Sequence, residues 1–280
     1  MTTISDVLYT TGDFNGCGKT ALFYQQWVPK AAKSSVLIIH GIGEHSSRYT
    51  HVALYLASRS YAVYAFDLPG HGRSEGPRGH IERFDDYPSC VDLFLKHLHL
   101  PGKVFLLGHS LGGLIALDCA MRFQDRFCGV IASAPAIGLA IRIPPGIYVM
   151  ARALDIALPS FALADTSIRA ALLSHDSNVT AAYDNDPLVT RKRSARFIME
   201  LIRAQRRIRD NPGKLALPAL FLKAGSDNIV SDDAIDRFFA DAGSCKKSLI
   251  RYDDFFHEIF NETGKERPLK DMVDWLDKTV

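Results

Sequence analysis

Short apolar runs alternate along the chain with longer stretches in which apolar residues recur at helical spacing. The runs Val36 to Ile39, Ala62 to Phe66, Val104 to Leu107, Gly129 to Ser133, Ala219 to Leu222 and Ser248 to Tyr252 read as strands of the buried type. Between the early ones, "YTHVALYLASRS" and "DDYPSCVDLFLKHLHL" carry helical patterns. Alternation of this kind predicts an α/β fold, a mostly parallel central sheet flanked by helices. In such sheets functional residues gather in the loops just past the carboxyl ends of strands.

The alternation breaks between Pro135 and about Pro212, where helical pattern continues for longer than one crossover connection needs. This predicts an inserted helical cap over residues 136–212 on a core of residues 1–135 and 213–280. Within the cap, "PPGIYVMARALDIALP" places Ile147, Met150, Ala151, Leu154 and Leu158 on one face and Tyr148, Arg152 and Asp155 on a polar stripe. Charges and prolines interrupt it too often for a membrane span. A second helix, Arg191 to Asp210, carries eight basic residues against Glu200 and Asp210. Its local charge of +6 leaves −4 for the rest of a chain whose net charge is +2. Such a helix could face anionic lipid; a solvated polar face opposite Phe197, Ile198, Leu201 and Ile208 is the commoner outcome.

Composition narrows the picture only a little. At 280 residues, 47% hydrophobic and 23% charged, the chain suits one large domain. The five cysteines, Cys17, Cys90, Cys119, Cys128 and Cys245, are scattered without CxxC spacing. Neither a disulfide framework nor a metal site is expected from them. The first residues lack a basic region followed by an apolar one, so a cytoplasmic location is the default expectation. "GCGKT" at Gly16 to Thr20 lacks the first glycine of a phosphate-binding loop and reads as a turn between early strands. Nucleic acid is not an expected partner, because beyond the Arg191 helix there is no basic excess or recognised binding motif.

Chemistry enters through a pattern that occurs twice. Gly-x-Ser-x-Gly appears as "GHSLG" around Ser110 and as "GRSEG" around Ser74. A nucleophile elbow needs a strand running into the serine and a helix running out. Ser110 has both, in "VFLLGHSLGGLIALDCAMRFQ"; Ser74 lies between Pro69 and Pro77 and reads as a loop residue. A serine hydroxyl is a weak nucleophile and needs a base, itself oriented by an acid. On an open sheet with this elbow the chain order is Ser, acid, His. Only His175 and His257 follow Ser110; His175 falls inside the insertion, whereas His257 follows the strand-like "SLIRY". Asp227, in the turn after "LFLKAG", is the expected acid. Asp232 and Asp233 are explained as residues opening the next helix, and Asp253 and Asp254 lie too near His257 along the chain. For the oxyanion, one donor is the Leu111 amide at the start of the elbow helix. Another is the Ile42 amide in "HGIGEHSSRY", between two glycines that let the backbone turn inward.

At this point the chain resembles the monoacylglycerol lipase and lysophospholipase branch of the α/β-hydrolases. The likeness runs nearly end to end and rests on "HGIGEHSSRY", "FDLPGHGRSEG", "LLGHSLGG", "YDNDPLV", "KAGSDNIV" and "YDDFFHEIFNE". It implies a cofactor-free serine hydrolase with Ser110, Asp227 and His257 as triad and Ile42 and Leu111 as oxyanion amides. The implied substrate is a monoacylglycerol or similar single-chain lipid ester, with lysophospholipase or general carboxylesterase activity as alternatives and a non-catalytic lipid-binding protein as a remote one. It also implies a cap that covers the site, guides an acyl chain and touches membrane, a role that the apolar Ile137 to Ala164 region fits.

Overall fold

The computed structural model describes residues 6–100, 103–140, 144–163 and 168–280. Eight strands form one sheet: β1 (Val7–Asn15), β2 (Ala21–Pro29), β3 (Ser34–Ile39), β4 (Tyr61–Phe66), β5 (Val104–His109), β6 (Phe127–Ser133), β7 (Ala219–Ala224) and β8 (Lys247–Tyr252). Their order across the sheet is β1-β2-β4-β3-β5-β6-β7-β8. From β4 to β8 every pair is parallel, while β2 is antiparallel to both β1 and β4. Each expected strand lies within an observed one. Every residue of β4, β5 and β7 is buried, which is why these strands read as continuous apolar runs rather than as alternation.

The antiparallel pair at one edge is where "GCGKT" makes its turn, with Asn15 opposite Ala21 and Gly18 at φ +68°. β1 is a half-exposed edge strand, with Leu8 and Tyr9 open to solvent. It lacks an apolar run because only one of its faces meets the core.

Helices cover both faces. α1 (Thr50–Ala57) packs against β2 and β4, and touches α8 (Glu266–Thr279), which reaches β6 and β7. α2 (Asp86–Leu98) and α3 (Leu111–Arg122) pack together, with α3 lying on β5, β6 and β3. α7 (Asp232–Asp241) packs on β7.

Between β6 and β7 come α4 (Pro145–Ala157), α5 (Ser177–Asn185) and α6 (Ala195–Arg209). Residues 141–143 and Ala164 of the apolar stretch lie outside the described residues. α6 is amphipathic as expected and buries Phe197, Leu201, Ala204 and Ile208. α4 departs from expectation. Ile147, Met150 and Leu158, from the apolar face, are about half exposed, while Asp155 from the polar stripe is buried. The reason is electrostatic. α4 docks on α6 through Ala151 and through Asp155, whose carboxylate accepts from Arg196 and, at 2.5 Å, from Arg203.

The same contacts dispose of most of the α6 charge. Arg207 pairs with Asp118 at 2.8 Å and Asp85 at 3.1 Å, and Arg209 donates to the Ile137 carbonyl at 2.9 Å. Arg203 also meets Glu200 at 2.7 Å. Arg206 faces solvent, 3.9 Å from Asp210. These guanidiniums hold the fold together rather than form an open cationic face.

Burial would raise the Asp155 pKa, but the hydrogen bonds and charges of Arg203 and Arg196 outweigh it and hold it below the ordinary carboxylate value. A carboxylate depressed in this way stabilises the fold above its unfolded pKa and loses that contribution as pH falls through the folded value. Asp155→Asn removes one charge from between two guanidiniums and is expected to loosen α4. Limited trypsin digestion at neutral pH then cuts after the exposed Arg152 at least about threefold faster than in wild type, from the larger open population. An unchanged cleavage rate would contradict this anchoring role.

Candidate active site

The strand β5 runs straight into Ser110 and α3 runs straight out. Ser110 has φ +52° and ψ −115°, a conformation that L residues avoid and that costs roughly 1–3 kcal/mol. The turn is sharp enough to need glycines at two places. A Cβ on Gly112 would lie 2.0 Å from the Ile39 carbonyl oxygen, and one on Gly108 would lie 2.1 Å from the Gly112 oxygen. Backbone bonds fix the turn. The Ser110 amide donates to Ser133 at 3.0 Å, and its carbonyl accepts from Leu114 at 3.0 Å and Ala136 at 2.9 Å.

Two further loops bring Asp227 and His257 together. Asp227 follows β7 and His257 follows β8, and His257 Nδ1 lies 2.7 Å from Asp227 Oδ2, with both side chains about 1% exposed. The other carboxylate oxygen accepts from the amides of Ile229 at 2.8 Å and Val230 at 3.1 Å. Burial would raise the Asp227 pKa, but His257 and these amides outweigh it and keep the carboxyl below its ordinary value. A charged Asp227 assigns the proton of neutral His257 to Nδ1 and leaves Nε2 as an acceptor. That Nε2 is buried and has no protein hydrogen-bond partner among the described residues. It belongs to a cavity of about 10 Å³ that Ser110 also lines, with Glu44, His109, Tyr183 and Glu258 on its polar side and Ile42, Ile168 and Leu173 on its apolar side.

Leu111 opens α3, so its amide has no intrahelical acceptor. Ile42 sits between Gly41 and Gly43 on the rim of the same cavity. Gly43 has φ +77°, and a Cβ there would lie 2.7 Å from the Thr190 carbonyl oxygen. The Gly41 amide donates to Glu44 Oε1 at 2.6 Å. Ser110 also lines a second, mainly apolar cavity of about 150 Å³, whose walls include Ile42, Leu111, Ile198, Leu201 and Ile229 together with one cation, Arg193. Ser110 therefore lines both a small cavity of mixed character and a larger apolar one.

The competing residues are employed elsewhere. Ser74 is buried, donates to the Asp67 carbonyl at 2.6 Å and accepts from the Phe23 amide at 2.9 Å. Asp232 pairs with Lys223 at 3.3 Å and Arg251 at 3.1 Å, and Asp233 lies in the first turn of α7. Asp253 and Asp254 meet Arg251 and Arg267. His175 stacks on Phe256 and bonds Glu262 at 2.8 Å. Sequence reasoning missed Glu44, Arg48, His109, Tyr183 and Glu258. Glu44 and Arg48 stood in "GEHSSRY" and Glu258 in "FFHEIF", where only the glycines and the histidine were read. The His109 ring lies 4.7 Å from that of His257, and burial, followed by His257, pushes its pKa down to about 3. It stays neutral and adds no charge beside His257.

Comparison with known proteins shows the family. Residues 30–264 match the family described as "Serine aminopeptidase, S33". The phospholipase YtpA of Bacillus subtilis is 32% identical over 87% of this chain and 96% of its own length. A monoacylglycerol lipase of Mycolicibacterium smegmatis is 30% identical over 94% and 95% of the two chains. The crystal structure of Paleococcus ferrophilus monoacylglycerol lipase superposes with a TM-score of 0.84 at 28% identity, covering 98% of this chain and all of that one.

Ser74→Ala separates the two serines. It strips partners from a buried carbonyl and a partly buried amide and is expected to lower unfolding stability by about 1–3 kcal/mol. Hydrolysis of a short nitrophenyl ester per folded molecule should stay within about twofold of wild type. Urea unfolding and the esterase assay check this; a large rate loss at intact stability would contradict it.

Proposed function

This chain belongs to the serine aminopeptidase S33 family of α/β-hydrolases, and from that premise we propose that it hydrolyses the ester of a monoacylglycerol or similar single-chain lipid. The observation that carries the reading is that Ser110 lines one small cavity with the unpartnered Nε2 of an Asp-held histidine and also lines an apolar cavity of about 150 Å³. An alkyl chain attached to the scissile ester suits the apolar cavity. The family description names a peptidase, but an amino-terminal ammonium would find no open carboxylate among the described residues of the cavity. Glu44 and Glu258 are already committed to Gly41, Tyr49, Arg48 and Asn261.

In this mechanism Ser110 Oγ attacks the acyl carbon while His257 Nε2 takes its proton, and Asp227 stabilises the imidazolium. The amides of Ile42 and Leu111 bind the oxyanion, each worth roughly 3–4 kcal/mol in the transition state. Collapse breaks the ester bond, and the leaving alcohol takes the proton from His257. Water then adds to the acyl-enzyme, giving its proton to His257, and the fatty acid departs as Ser110 regains a proton. The 32% identical phospholipase favours a second reading, lysophospholipid hydrolysis, which uses the same residues.

Residues 136–212 serve as a cap over this site, on a core of residues 1–135 and 213–280. No helix among the described residues is long and apolar enough to cross a membrane. We place membrane contact on α4, where Ile147, Val149, Met150 and Ile156 are 52%, 65%, 52% and 77% exposed, instead of on α6, whose cations are mostly paired. A cytoplasmic compartment is part of this reading, in keeping with five cysteines scattered without CxxC spacing.

Ser110→Ala is expected to lower kcat by about six powers of ten, as in other serine triads. Parallel assays on monoacylglycerol, lysophosphatidylcholine and short nitrophenyl esters rank the substrates. Retention of ester hydrolysis within tenfold would contradict the mechanism, and a preference for the lysophospholipid would select the second reading.

Apolar contact through α4 gives vesicle co-sedimentation that barely changes between about 0.05 and 0.5 M salt and is lost in Val149→Glu/Ile156→Glu. Binding that falls with salt and survives this substitution would assign the contact to basic residues instead.

A further inference from the structure

Three charged side chains at the site take no part in the proton transfers: Glu44, Arg48 and Glu258. They are 4%, 11% and 4% exposed. Arg48 forms a two-pronged pair with Glu258, both distances 2.7 Å, and reaches Glu44 at 3.1 Å. Burial works against the charged guanidinium, but Glu258 and Glu44 more than offset it and hold its pKa above the ordinary value. A buried ionic group of this kind is a poor device for stability, since apolar replacements of equal volume often do as well. Its use must be sought in what it fixes.

What it fixes is a pair of loops on opposite sides of Ser110. Glu44 belongs to the loop after β3, where its Oε1 accepts from the Gly41 amide and from the Tyr49 hydroxyl, both at 2.6 Å. Gly41 directly precedes Ile42. Glu258 belongs to the loop after β8 and directly follows His257. Its own position is set by Asn261, which donates to Oε2 at 2.8 Å, and by its amide, which donates to Leu173 at 2.8 Å. Arg48 thus links Glu44, which holds the Gly41 amide next to Ile42, to Glu258, which is next to His257.

We infer that Glu44, Arg48 and Glu258 form a positioning bridge that sets the distance between the Ile42 oxyanion donor and the His257 base. The inference rests on the serine hydrolase reading above. A bridge of this kind acts on the transition state and not on ground-state binding, because small displacements of a donor and a base cost rate before they cost affinity.

The test uses Arg48→Met, Glu258→Gln and the double variant. Their readouts are kcat and KM on a monoacylglycerol, inhibition by a long-chain trifluoromethyl ketone that forms a tetrahedral adduct, and binding of the unreactive 1-O-dodecylglycerol. Each single variant is expected to lower kcat about 100- to 1000-fold, the loss typical of one oxyanion donor, and to weaken the ketone by a similar factor. KM and the ether affinity should move less than about threefold. Arg48→Lys should recover part of kcat, since an ammonium restores the charge without the two-pronged geometry. The double variant should fall no further than either single one, because the bridge acts as a unit. It also keeps the test alive should Arg48→Met alone leave Glu258 uncompensated and fail to fold. Unchanged kcat and ketone inhibition, equal losses in kcat and ether binding, or multiplicative losses in the double variant would each overturn the bridge. Ser110→Ala runs alongside. If it stays active the hydrolase reading fails; if it is inactive while the Arg48 and Glu258 variants behave as wild type, only the bridge fails.

Discussion

The site depends on one steric constraint, the close approach of α3 to the sheet at Ser110. Gly112 lies against the Ile39 carbonyl and Gly108 against Gly112, so the helix begins almost in contact with β3 and β5. The chain can turn that sharply only by forcing Ser110 to positive φ. Neighbouring backbone holds it there. Ser110 bonds to Ser133 and Ala136 around the end of β6, and α3 is buried along nearly its whole length. Once that corner is set, the loops after β3, β7 and β8 supply Ile42, Asp227 and His257 to one place, because parallel strands deliver their carboxyl ends to the same edge.

Charge is the second organising element, and most of it is internal. The arginines of α6 bind Asp155, Asp118, Asp85 and Glu200, so the most basic stretch of the sequence ties the segment between β6 and β7 to the core. At the site, Arg48 compensates Glu44 and Glu258, and His109 is kept neutral by burial. The cavity thereby keeps Asp227 as the charge in direct contact with His257. That is the electrostatic setting in which a histidine can take a proton and have its cation held.

Much of this was legible in the sequence, for identifiable reasons. The buried strands are apolar on both faces, so they appear as short unbroken runs. The elbow is local, a strand and a helix meeting within a few residues, so Ser110 separates from Ser74 without any tertiary knowledge. Asp227 and His257 follow from chain order because each lies in a loop immediately after a strand. Features that depend on distant partners were hidden. β1 is half polar because it is an edge. The orientation of α4 is set by Asp155 meeting Arg196 and Arg203, some 41 and 48 residues away, and helical periodicity carries no information about such a partner. Glu258 and Arg48 are separated by 210 residues, and nothing in either local pattern announces the other.

The central claim is that the strained Ser110 is the group that becomes acylated. Its most direct test is to treat the wild-type protein with a fluorophosphonate bearing an alkyl chain and to map the adduct by peptide mass spectrometry. A single adduct on Ser110, formed slowly or not at all in His257→Ala, is the predicted result. An adduct on any other residue, or labelling of Ser110 that does not depend on His257, would contradict the account.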